Sequence, residues 1–72
     1  MDPVNEVKER LNFHGIDATI TMKDEVNYDG DYITVLEIIV SDIPTAMEVW
    51  DNLEDIMNRH KDLYFRVLPF PR

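Results

Sequence analysis

A chain of 72 residues has room for one small domain, residues 1–72, and none for a second domain or a large enclosed active site. With 44% hydrophobic residues and two glycines it can bury enough apolar surface to fold, and without cysteine it has no disulfide framework, thiolate nucleophile or Cys-ligated zinc. Seven Lys and Arg against fifteen Asp and Glu leave a net charge of -8, which disfavours nucleic acid and anionic membrane as direct partners.

Asp2 followed by Pro3 is a helix start, because the carboxylate caps free N–H groups and proline fits the first helical position. Val4, Val7 and Leu11 share one face of that helix, and Gly15 supplies the left-handed residue that ends it. From Ile16 the period changes to two. Ile16, Ala18, Ile20 and Met22 alternate with polar residues, which predicts a half-buried strand.

Residues 25–31, EVNYDGD, place Glu25, Asn27, Asp29 and Gly30 on the opening spacing of a calcium-binding loop, D-x-[DN]-x-[DN]-G. The flanks read as strands, however, and the twelfth position is Leu36 where a bidentate acid belongs, so no metal is expected. Register explains the stretch better. A two-residue turn of Asp29 and Gly30 would oppose Met22 to Glu37, whereas a type I turn through Tyr28 and Asp29, with Gly30 left-handed, opposes Met22 to Leu36 and Ile20 to Ile38. The acids Asp24, Glu25, Asp29 and Asp31 then cluster at one end of a hairpin, either as a solvated, edge-protecting tip or as a contact surface for something basic.

The second strand, residues 32–40, is apolar on both faces, with Leu36, Ile38 and Val40 on one and Ile33, Val35 and Ile39 on the other. That pattern predicts a central strand, or one whose second face meets another subunit. Ser41, Asp42 and Pro44 signal a second helix, with a capping box available to Thr45 and Glu48. Ala46, Val49, Trp50, Leu53, Ile56 and Met57 are its expected buried face, Trp50 filling core in preference to anchoring an interface. Glu48, Asp51 and Asp55 form an outward stripe with Glu54 beside it, consistent with a solvated face or with a second group of partner-binding carboxylates. A last strand, residues 63–68, leads into the Pro-rich tail 69–72, PFPR, in which Phe70 is a candidate interface residue.

The resulting order, α-β-β-α-β, makes an α+β fold of two layers: an antiparallel hairpin, a parallel third strand reached by a right-handed crossover, and both helices on one face. The uncovered face, carrying Ile33, Val35 and Ile39, suggests a homodimer. The topology resembles type II KH RNA-binding domains and a ferredoxin-like fold lacking its first strand. KH function requires a basic GXXG loop; this chain has no GXXG and the opposite charge, so that function does not carry over.

His14 and His60 each end a helix and have no nearby Ser, Cys or second His at ligand spacing, and no nucleophile elbow, phosphate loop, dinucleotide fingerprint or zinc helix motif is present. The expectation is therefore a non-enzymatic, cofactor-free cytoplasmic protein. Asp24, Glu25, Asp29, Asp31, Glu48, Asp51, Glu54 and Asp55 would bind and inhibit or regulate a basic nucleic-acid-binding protein by standing in for phosphates. The alternative is a homodimeric regulatory or assembly module acting through Ile33, Val35, Ile39 and Phe70.

Overall fold

The computed structural model describes residues 2–69, so Phe70, Pro71 and Arg72 of the tail lie outside the described residues. In chain order the elements are α1 (Pro3–Phe13), β1 (Thr19–Val26), β2 (Tyr32–Ile39), α2 (Ile43–Arg59) and β3 (Tyr64–Leu68). The sheet has the order β1-β2-β3, antiparallel between β1 and β2 and parallel between β2 and β3, as the sequence predicts.

Asp2 caps α1 by accepting the Val4 N–H at 2.9 Å, with Pro3 following it. At the other end Gly15, at φ 69, donates to the Asn12 carbonyl, and Ile16 N–H returns to the Leu11 carbonyl at 2.9 Å. This pair of bonds is a Schellman cap. It also explains why β1 begins at Thr19 rather than at Ile16: the Ile16 amide is already used by the helix end, while its side chain and that of Ala18 still pack on the core.

The hairpin has the register that keeps one face apolar, with Met22 opposite Leu36 and Ile20 opposite Ile38. Gly30 sits at φ 83 and donates to the Asn27 carbonyl, closing the turn through Tyr28 and Asp29. Asn27 Oδ1 also accepts the N–H groups of Asp29 and Asp31, at 3.0 and 2.9 Å. The side chain that matched a metal-ligand position is thus holding the turn.

Asp42 is the N-cap of α2, accepting the Thr45 N–H at 2.9 Å. Thr45 therefore lies within the first turn and does not open a capping box. Hydrogen bonds from Thr45 hold the Asp42 carboxyl below its ordinary range. Both helices cover the same face of the sheet: Val7 and Leu11 from α1 and Ala46, Val49, Leu53 and Ile56 from α2 close over Leu36, Ile38 and Val40.

Candidate functional site

Four cations pair with carboxylates on other elements. Between the helices, Arg10 grips both oxygens of Asp55 at 2.7 and 2.9 Å and also donates to the Asn52 carbonyl. Arg59 pairs with Glu6 at 2.8 Å and His60 Nε2 donates to the same carboxylate at 3.0 Å. The His60 hydrogen bond, reinforced by the Arg59 charge, keeps buried Glu6 ionised to lower pH than usual, and Arg10 holds Asp55 down to about 2.

A second network lies on the sheet face away from the helices. Glu37, on the central strand, is only 2% exposed although both helices lie on the other face of the sheet. Lys23 reaches it at 3.0 Å and Arg66 at 3.4 Å, while Arg66 extends across the sheet to grip Glu25 at 2.8 and 2.9 Å. Arg66 stands beside Glu37 on β3 and Glu25 beside Ile33 on β1, so the guanidinium crosses at the level of Val35. Val35, on the same face, is 1% exposed. The Arg66 contact lowers the Glu25 carboxyl pKa, and the Glu25 contact raises that of Arg66.

The eight carboxylates expected to bind a partner are therefore not equivalent. Glu25 and Asp55 are engaged in ion pairs, and Asp24 accepts the Thr34 hydroxyl at 3.2 Å. Asp29, Asp31, Glu48, Asp51 and Glu54 are exposed and have no ion-pair partner among the described residues. The free acids fall into two groups, at the hairpin tip and on α2. Because α2 returns antiparallel to β2 before parallel β3 begins, its basic end, Arg59 to Lys61, lies toward the hairpin and separates Glu54 from the tip. Of the expected interface residues, Val35 is buried, Ile33 and Ile39 are half-buried, and Phe70 lies outside the described residues.

Trp50 corrects the sequence reading. It is 44% exposed, and with Ile43 at 64% and Met47 at 63% it forms an apolar stripe on α2. The buried row is Ala46, Val49, Leu53 and Ile56; Trp50 follows Val49 by one residue, a rotation of about 100° that carries it to the rim. Spacing alone contains this signal, because Ile43, Met47 and Trp50 stand at i, i+4 and i+7 on a line of their own.

A surface depression of about 320 Å³ at the hairpin end is lined by Glu25, Val26, Asn27, Tyr28, Ile33 and Arg66, and its charged groups already satisfy each other. Among the described residues no group of three or more His, Cys, Asp or Glu is arranged to hold a metal, and no helix is long and apolar enough to cross a membrane. Comparisons with family models, with curated proteins and with solved structures find no match.

Proposed function

We propose that this chain is a small, non-enzymatic, cytoplasmic acidic protein that binds and inhibits or regulates a basic nucleic-acid-binding protein, its carboxylates occupying Lys and Arg sites that otherwise take phosphates. The observation that carries the reading is the disposition of charge. Arg10, Lys23, Arg59 and Arg66 are all consumed by Glu6, Glu25, Glu37 and Asp55. Of the fifteen acids, those four are paired and, among the described residues, eleven remain outside ion pairs, against Lys8 and Lys61 among the described bases. The field presented to an approaching molecule is therefore more one-sided than the net charge alone conveys, which favours fast, steered association with a cationic surface.

The test is capture of partners from lysate at low and high salt, with Glu48→Gln, Asp51→Asn, Glu54→Gln as the control chain, followed by adding the pure chain to the captured protein bound to nucleic acid. Wild type should release the nucleic acid, and the triple variant should need roughly tenfold more protein, the scale of a 1.4 kcal/mol loss. Unchanged potency of the triple variant would remove α2 from the reading. No release at any concentration would end it.

A second reading, a homodimeric regulatory or assembly module, is favoured by one feature: Lys23, Glu25, Glu37 and Arg66 cancel on the open sheet face. Two copies of a chain with charge -8 would meet there without like-charge repulsion, through Ile33, Ile39 and the PFPR tail. Sedimentation equilibrium with Ile39→Lys distinguishes it, since a dimer built on that face should dissociate.

A further inference from the structure

The exposed stripe on α2 is more specific than a field of charge. Ile43, Met47 and Trp50 make a straight apolar ridge about 10 Å long at 1.5 Å per residue. The line continues into Glu54, one turn beyond Trp50, and Asp51 stands one turn beyond Met47, with Glu48 on the outward side. The nearby guanidinia of Arg10 and Arg59 lie between the two helices, Arg10 held by Asp55 of α2 and Arg59 by Glu6 of α1.

We propose that this face binds a cationic amphipathic helix, its apolar residues on Ile43, Met47 and Trp50 and its Lys or Arg residues on Glu48, Asp51 and Glu54. This rests on the acidic-decoy reading and adds to it the form of the partner. Charge complementarity selects the occupant. A second copy laid on the same face would crowd two sets of Glu48, Asp51 and Glu54 into one interface, and an anionic lipid surface would meet the same repulsion. The spacing i, i+4, i+7 is that of the anchor face in helix-on-helix recognition, which an irregular basic tail does not match.

Trp50 is the chain's single tryptophan, so its emission reports this face directly. The probes are an 18-residue Leu/Lys peptide of helical amphipathic spacing and a shuffled peptide of identical composition without that period, both free of tryptophan. The amphipathic peptide should shift Trp50 emission to shorter wavelength and bind at least tenfold more tightly than the shuffled one. Ile43→Ser with Met47→Ser, both at highly exposed positions, should cut its affinity at least fivefold while leaving the circular dichroism spectrum unchanged. Equal binding of both peptides with unmoved emission would overturn the inference while leaving the decoy reading intact, since that reading is scored separately by release of nucleic acid. Binding of neither peptide would also overturn it, as would an emission shift with protein concentration alone, which would assign the face to a second copy.

Discussion

The two faces of the sheet bury the same central strand by different physics. On the helix side, Leu36 and Ile38 are sealed by aliphatic side chains from both helices, an arrangement indifferent to salt and pH. On the other side, Val35 and Glu37 are buried as well, and there Lys23 and Arg66 supply charges that satisfy the buried carboxylate. Among the described residues, a three-stranded sheet with one layer of helices thus satisfies the charge buried on its second face from its own strands, at the cost of making that part of the fold ionic.

The comparison can be broken most forcefully on the helix side. Leu36→Ala should destabilise by about 2–5 kcal/mol, a large share of what so small a domain has, and lower the denaturant midpoint equally in low and high salt. Arg66→Ala should cost less, a smaller drop in the denaturant midpoint, because Glu37 loses one partner but keeps its ion pair with Lys23. Unlike the first loss, this one should shrink in 1 M salt, and equal salt sensitivity of the two variants would erase the distinction between faces. Gly30→Ala offers a reference that touches neither face. A Cβ there meets nothing within 4 Å, so the penalty of about 1 kcal/mol measures the left-handed backbone alone and should be independent of salt.

The smallest effects per residue come from acid titration. Asp55 ionises in the folded chain at about 2 against an ordinary 3.8, and Glu6 and Glu25 are lowered in the same direction. Their stabilisation is complete above the unfolded values and is lost as pH falls through the folded ones. Melting temperature should therefore be level above about pH 5 and decline toward pH 2, with Asp55→Asn flattening the lower part of that decline.

Much of this was legible from spacing. The α1 caps, the hairpin register and the α-β-β-α-β topology all follow from local signals within a few residues of one another. Glu37 was harder, because it interrupts an apolar run and its partners sit on other strands. Lys23 could have been found, since the hairpin register puts it opposite Val35 and thus diagonal to Glu37. Arg66 could not: its neighbour is fixed by the β2–β3 register, and a parallel pair joined through a whole helix leaves no turn from which to count. Trp50 was misplaced for a different reason. It sits at the margin of the helix's buried arc, where the width of the covering sheet, and not periodicity, decides what is covered.

The unequal strand lengths carry a consequence for motion. β1 pairs with β2 from Tyr32 to Ile39, but β3 opposes only Val35 to Ile39, so the turn end of the hairpin overhangs the third strand. In amide hydrogen exchange, Leu36 and Ile38 should open only when the whole domain unfolds, whereas Val26 and Tyr32 should exchange by fraying at far lower free energy. The acids Asp29 and Asp31 ride on that fraying end, while Glu48, Asp51 and Glu54 ride on a helix packed into the core. One acidic group is thus able to adapt to what it meets, and the other presents a fixed shape.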